Sequence, residues 1–146
     1  MAPSDDRERT LEWVERVATF CGDAWGLAPI TGRVLGWLLI CTPAEQSAGE
    51  IADAIGASRA SMTSNLRLLT SIGLVRRRTR PGERTTYYRI EDDAFEKVVR
   101  QRLASFAAFG EIAEEGLELG GEDEERVRRI RSAQHSIALL TDYRVK

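Results

Sequence analysis

Two short segments with helix-start signals, separated by a glycine, constrain this chain more than any other feature. Ser47 begins a capping box that predicts a helix over 48–55, and Ser58 is a good N-cap for a second helix over 59–72. Gly56 between them supplies the residue type that a tight turn requires. Two capped helices joined in this way predict a helix-turn-helix.

A hairpin rich in arginine follows the second helix directly. Residues 74–79 and 85–90 favour strands, and residues 80–84, Arg-Pro-Gly-Glu-Arg, favour the turn between them. Segment 57–90 holds eight arginines against one acid, Glu83, although the net charge of the chain is −2. A hairpin in this place is a wing, and a basic centre between acidic arms indicates one surface built for phosphates.

The candidate DNA contacts lie on the polar side of the second helix and on the wing. The helix spacing places Met62, Leu66 and Leu69 in the core and small polar residues opposite them. Polar groups suited to base edges or phosphates are predicted at Arg59, Ser61, Thr63, Ser64, Asn65, Arg67, Arg76, Arg78, Arg80, Arg84 and Thr85.

Within that set the roles differ. Asn65 suits bidentate pairing with adenine, and Arg59 or Arg67 suits guanine or a phosphate. Arg80 and Arg84, which flank the turn, are the best candidates for the DNA backbone or the minor groove. Strand alternation separates Arg77 from Arg76 and Arg78, and leaves Arg77 and Arg89 as candidates for pairing with acids inside the protein. A merely solvated helix face and a soluble hairpin that happens to be rich in arginine stay open as alternatives.

Long amphipathic segments flank this centre. Apolar residues recur at helical spacing in four further segments, which are predicted as helices over 7–25, from 29 or 31 to 41, over 92–119 and over 123–143. We therefore predict a mainly α (α+β) fold. It has an N-terminal dimerisation helix at 1–28, a winged helix-turn-helix domain at 29–91 and C-terminal dimerisation helices at 92–146. The flanking helices carry more apolar surface than a small winged core covers, which favours a homodimer. A monomer whose long helices fold back on their own core is the alternative.

The remaining composition argues against an enzyme or a metalloprotein. The single histidine, His135, stands without a GxSxG or phosphate-loop motif, and the two cysteines, Cys21 and Cys41, form no CxxC pair. We expect no catalysis, metal, cofactor or disulfide. No apolar run reaches the roughly 20 residues of a membrane span, and residues 1–9 do not resemble a signal peptide, so we expect a cytoplasmic protein with no membrane partner.

Residues 47–90, SAGEIADAIGASRASMTSNLRLLTSIGLVRRRTRPGERTTYYRI, resemble the MarR family of bacterial transcriptional regulators. Residues 32–41, GRVLGWLLIC, look like the actinobacterial subgroup of MarR-type repressors that control RND-type efflux and lipid-export pumps. The likeness covers about residues 10–143. It implies an obligate homodimer with interleaved terminal helices, two wings that straddle a pseudo-palindromic operator, and repression relieved by a small, often lipophilic ligand.

The wing tip departs from the family pattern. The family's tip usually reads Asp-x-Arg, whereas the corresponding residues here are Glu83-Arg84-Thr85. Because Thr85 stands where the family often has its groove-inserting arginine, the resemblance transfers that role to Arg84.

The resemblance also implies an effector pocket where the dimer helices join the winged core. The side chains expected there are Phe20, Trp25, Arg33, Trp37, Phe106 and Phe109, with Arg33 as polar anchor and a plain aromatic core as the alternative. Some MarR-like regulators sense oxidants through a cysteine in the first helix. Cys21 lies on the apolar stripe beside Asp23, which would raise its pKa, and we expect it to be buried and inert.

Taken together, these patterns predict a sequence-specific DNA-binding regulator with double-stranded DNA and a second copy of the chain as partners. We expect a ligand-responsive repressor of a transporter or efflux operon, and activation stays open. The alternative is a winged-helix module that contacts another protein without specific DNA binding.

Overall fold

The computed structural model describes residues 3–141 and is 72% helical. The elements follow in the order α1 (Pro3–Trp25), α2 (Pro29–Ile40), β1 (Gln46–Ser47), α3 (Ala48–Ile55), α4 (Arg59–Ser71), β2 (Val75–Thr79), β3 (Thr86–Ile90), α5 (Ala94–Gly120) and α6 (Glu124–Thr141). The predicted mainly α fold with a small sheet is confirmed. The predicted end of the last helix at residue 143 lies outside the described residues. The chain divides after Ala94 into two compact units.

The helix-turn-helix forms through the local signals that predict it. The Ser47 hydroxyl accepts the Glu50 backbone N–H at 3.1 Å, and the Glu50 carboxylate accepts the Ser47 N–H at 3.1 Å. Gly56 then adopts φ +70°, a left-handed conformation that only glycine enters without strain. The Ser58 hydroxyl accepts from the Ser61 N–H and starts α4. The capping box, the turn and the second N-cap are therefore as predicted.

Two glycines allow α1 and α2 to pack closely. A Cβ at Gly32 would lie 2.8 Å from the Ala18 Cα, and a Cβ at Gly36 would lie 3.2 Å from the Val14 carbonyl oxygen. Val14 and Ala18 are buried at this contact. The apolar stripe predicted for the first helix is thus the face that α1 buries.

The sheet has a third strand, β1, that the sequence does not predict. Its order is β1-β3-β2, and every pair is antiparallel. In the register, β1 places Gln46 opposite Tyr88 and Ser47 opposite Tyr87. A strand of two residues has no periodicity to detect, and this one pairs with a segment about forty positions later in the chain.

The core of the first unit consists of aliphatic side chains from four helices. Met62, Leu66 and Leu69 of α4 are buried as predicted, together with Leu35 of α2 and Ile51 of α3. Because α4 buries this face against α2 and α3, its other face remains outside.

The second unit is a hairpin of α5 and α6. Gly121 at φ +54° ends α5, and the Asp123 carboxylate accepts backbone N–H groups at the start of α6. Gly116 and Gly120 face Ile130 and Val127 of α6. Large apolar side chains nevertheless remain exposed on this hairpin, at Val99, Phe106, Phe109, Ile112, Leu119, Leu139 and Leu140.

Candidate nucleic-acid interface

The outer face of α4 carries short polar side chains and an arginine. Thr63, Ser64 and Arg67 are exposed there. The hydroxyls of Ser61 and Ser64 donate to backbone carbonyls one turn earlier, at 2.8 and 3.3 Å, so their oxygens remain able to accept a hydrogen bond. Short side chains of this kind let a helix backbone approach a nucleic-acid groove closely.

Asn65, for which pairing with adenine is predicted, is not part of this outer face in the structure. Its side chain is 9% exposed. Its Oδ1 accepts the Thr31 hydroxyl at 2.6 Å, and its Nδ2 donates to the Ser61 carbonyl at 2.7 Å. Both ends of the amide are therefore bound inside the first unit, and the hydrogen bond with Thr31 connects α4 to α2.

A groove of 360 Å³ separates α4 from the wing. Thr63, Arg67 and Thr70 of α4 line one side, and Arg77 of β2 and Tyr88 of β3 line the other. Arg77 and Tyr88 are direct partners in the strand register, so they occupy one face of the hairpin. Arg67 and Arg77 are both exposed, and neither forms an ion pair within residues 3–141.

The arginines of β2 that pair with acids are not the one for which the sequence predicts such pairing. Arg76 pairs with Glu91 at 3.2 Å, and Arg78 pairs with Glu45 at 2.9 Å, whereas Arg77 opens onto the groove. Strand alternation does separate Arg77 from its neighbours, but the acids lie on the other face of the hairpin. Arg89 contacts Asp92 at 3.7 Å, so its predicted pairing with an acid occurs, at the surface.

Arg80 is also bound within the protein. Its guanidinium donates to Glu45 at 3.2 Å and lies 3.7 Å from the centre of the Tyr87 ring. The hydrogen bond to Glu45 raises the pKa of Arg80, and the hydrogen bonds from Arg78 and Arg80 lower the pKa of Glu45. Arg80, for which a contact with the DNA backbone or the minor groove is predicted, is therefore bound within the wing in this structure.

Arg84 is the exposed arginine at the wing tip. Gly82 at φ +78° forms the turn, and the Glu83 N–H donates to the Arg80 carbonyl at 3.1 Å. Arg84 and Thr85 follow the turn and are exposed. Across the described part of the chain, Arg84 forms no ion pair, so its charge is available to a ligand.

Arg59 lies at the start of α4 on the same unit. It is exposed, and a Cβ added at Gly49 of α3 would lie 3.1 Å from its Nη2 atom. The guanidinium therefore extends back over the first turn of α3, beside Gly49.

The residues predicted for an effector pocket lie on three helices, α1, α2 and α5. Phe20 and Trp25 of α1 contact each other edge to face, with ring centres 5.4 Å apart. Arg33 is bound by Glu15, so the predicted free polar anchor is already paired. The Trp37 indole N–H donates to Gln46 at 3.0 Å. The two remaining candidates lie on α5 in the second unit, at Phe106 and Phe109.

The two cysteines are unpaired thiols. Cys21 is fully buried, as predicted, and burial rather than Asp23 raises its pKa. Burial also raises the pKa of Cys41. Among the residues that the structure describes, no three His, Cys, Asp or Glu side chains are grouped as a metal site would require. Within the same residues, no helix combines the length and the apolar character needed to span a membrane.

The chain is similar to known transcriptional regulators over part or most of its length. Residues 93–142 match the MmpR5-like MarR family of transcriptional regulators. The HTH-type transcriptional regulator MmpR5 of Mycobacterium tuberculosis is 34% identical over 131 residues, which span 89% of this chain and 79% of that protein. The crystal structure of a transcriptional regulator, 32% identical, aligns with a TM-score of 0.67 over 92% of this chain and 91% of that one.

Proposed function

Because the chain belongs to the MarR family of transcriptional regulators, we propose that it acts as a homodimeric repressor bound to a pseudo-palindromic operator. A small lipophilic molecule would release it, and a transporter or efflux operon would be its target. The observation that carries this proposal is a set of exposed arginines on α4 and the wing that form no ion pair within residues 3–141, namely Arg67, Arg77 and Arg84.

The arrangement of polar groups suggests how a duplex would bind. With α4 in the major groove, Thr63, Ser64 and Arg67 would face base edges. The groove beside α4 would receive a phosphate between Arg67 and Arg77, because two unpaired guanidinium groups line it. Arg84 would enter the adjacent minor groove from the wing tip. Supporting contacts would come from Arg59, Ser61 and Thr85.

The apolar surface of the terminal helices supports a dimer. Ile112, Leu119 and Leu139 of the α5–α6 hairpin are 61%, 80% and 62% exposed. Large apolar side chains in such number favour burial against a partner of the same kind. We propose residues 1–28 and 92–146 as the dimerisation regions. A two-fold dimer would present its two α4 helices about 34 Å apart, one turn of B-DNA.

The aromatic pair on α1 supports a lipophilic effector. Phe20 is 54% exposed and is the aromatic side chain that borders a shallow depression of 380 Å³, whose other lining residues are Glu15, Arg16, Thr19 and Asp23. Since Trp25 packs against the Phe20 ring, a bound molecule would change its fluorescence. The likeness of residues 32–41 to repressors of efflux and lipid-export pumps supports the class of target operon.

Fluorescence anisotropy with duplex DNA from the gene's own upstream region tests the proposal. Log affinity should fall linearly with log salt, by about 0.9 per phosphate contacted. Arg77→Ala and Arg84→Ala should each weaken binding and lower that slope by about 1. Arg76→Ala is the matched control, because Arg76 is on the same strand and is already paired with Glu91.

Two results would contradict the proposal. The first is a wild-type affinity no better than the roughly micromolar range of non-specific binding, which would favour a winged-helix module that contacts another protein. The second is an equal effect of Arg76→Ala and Arg77→Ala, which would mean that only net charge matters.

A further inference from the structure

Glu45 contacts the wing from outside the hairpin. It lies between α2 and β1, and its side chain is only 13% exposed. One carboxylate oxygen accepts from Arg78 at 2.9 Å, and the other accepts from Arg80 at 3.2 Å. A single acid therefore binds two arginines that lie at the far end of β2 from the core.

The Tyr87 ring completes this cluster. Arg80 lies over the ring at 3.7 Å, and Tyr87 is the register partner of Arg78 on one side and of Ser47 on the other. The cluster of Glu45, Arg78, Arg80 and Tyr87, called here the wing anchor, thus connects all three strands with the segment that precedes α3.

The wing anchor lies at the base of the turn that carries Arg84. The Arg80 carbonyl accepts the Glu83 N–H at 3.1 Å, so the residue bound by Glu45 also closes the turn. Fixing the Arg80 side chain therefore restricts the direction in which the next residues leave the sheet. Two charge-assisted hydrogen bonds and a cation–π contact provide a well-defined geometry for that purpose.

We propose that Glu45 is a positioning residue of the wing, which presents Arg84 to DNA through Arg78 and Arg80 without contacting the duplex itself. The inference rests on the proposed function. A different role is conceivable for the same contacts, in which Glu45 imitates a phosphate and keeps the two arginines from DNA. The Arg80 guanidinium is also held over the Tyr87 ring, and the Arg80 carbonyl closes the turn, so these contacts belong to the packing of the wing itself and the positioning role fits the structure better.

The lowered pKa of Glu45 agrees with a persistent contact. Hydrogen bonds from Arg78 and Arg80 stabilise its ionised form, so the carboxylate is charged throughout the range in which DNA binding is measured.

A double-mutant cycle with Glu45→Gln and Arg84→Ala tests the role of Glu45. Glutamine keeps the size of the side chain and removes its charge. If the wing is misplaced in Glu45→Gln, this variant binds operator DNA more weakly than the wild type does. Arg84→Ala should then lower the affinity for operator DNA by about tenfold in the wild type, but by less than about threefold in the Glu45→Gln background. A general loss of stability would not change the cost of Arg84→Ala, so the coupling reports position.

Glu91→Gln provides the matched control. It removes the same charge from an acid that binds another arginine of β2, Arg76, at the opposite end of the strand. Its effect should add to that of Arg84→Ala. If Glu45→Gln does not fold, Arg80→Gln breaks the same contact from the partly exposed wing side and should show the same coupling.

The outcomes are distinguishable. Tighter binding and a steeper salt dependence in Glu45→Gln would show that Glu45 masks the arginines, and would overturn the proposal. Additive effects of Glu45→Gln and Arg84→Ala in a protein that binds its operator would overturn it as well. Absence of specific binding by the wild type would instead refute the proposed function, and the role of Glu45 with it.

Discussion

An Asn65→Ala substitution should destabilise the protein without relaxing its base specificity. The Asn65 amide accepts from Thr31 at 2.6 Å and donates to the Ser61 carbonyl at 2.7 Å. Thr31 is 2% exposed, so its hydroxyl would lose its partner in a place that water does not reach. A buried polar group left unsatisfied costs about 1–3 kcal/mol. With the second hydrogen bond also lost, we expect a decrease of about 2–3 kcal/mol in the free energy of unfolding.

A substitution of Thr31, alone and combined with that of Asn65, measures the coupling energy between the two side chains. Thr31→Val keeps the side-chain shape and strands the Asn65 carbonyl oxygen instead, which should cost about 1–2 kcal/mol. The double variant of Thr31→Val with Asn65→Ala removes both partners, so it should be more stable than the sum of the two single effects by about 1–2 kcal/mol.

Urea denaturation followed by circular dichroism at one fixed protein concentration measures these changes, because the stability of a dimer depends on concentration. The same variants are then tested against operators with single base-pair changes. A stability loss below about 0.5 kcal/mol, together with a loss of about 1–3 kcal/mol of discrimination at one adenine, would refute the reasoning and return Asn65 to the DNA interface.

Three further predictions follow from the packing and the titratable groups. Gly32→Ala should destabilise by about 1–2 kcal/mol in urea denaturation, since its Cβ would lie 2.8 Å from the Ala18 Cα. Gly22→Ala on α1, whose Cβ would make only an ordinary 3.5 Å contact with the Leu27 carbonyl oxygen, is the control and should not destabilise the protein. The pKa of Glu45 is lowered on folding, so its contribution is present above its usual value of 4.5 and is lost as pH falls below it. The stability difference between wild type and Glu45→Gln should therefore shrink between neutral pH and acid, and a difference independent of pH would contradict this. In a Cys41→Ser variant, Cys21 should react with a thiol reagent only after denaturant is added, because burial raises its pKa; rapid labelling of the native protein would be contrary to this account.

The MarR-type fold could be predicted largely from local signals. The helix starts at Ser47 and Ser58 depend on side chains that bind backbone groups three residues away, and Gly56 supplies a conformation that other residues avoid. Such interactions are complete within one short segment, so the sequence contains all of their parts. The concentration of arginine in and after α4 is also a property of composition, which predicts a phosphate-binding surface before any contact is known.

The assignment of individual polar residues to that surface was decided by tertiary structure. Asn65 and Thr31 are 34 positions apart, and Glu45 lies 33 and 35 positions from Arg78 and Arg80. Periodicity shows which side chains share a face of an element, but it does not show what lies opposite that face. The sequence alone therefore determined that this chain has a recognition helix and a basic wing. The packing of α2, of the segment after it and of the hairpin decided the rest. Asn65, Arg78 and Arg80 bond to groups within the protein, whereas Arg77 faces outward, because a polar side chain bonds to the partner that the fold brings within hydrogen-bond distance.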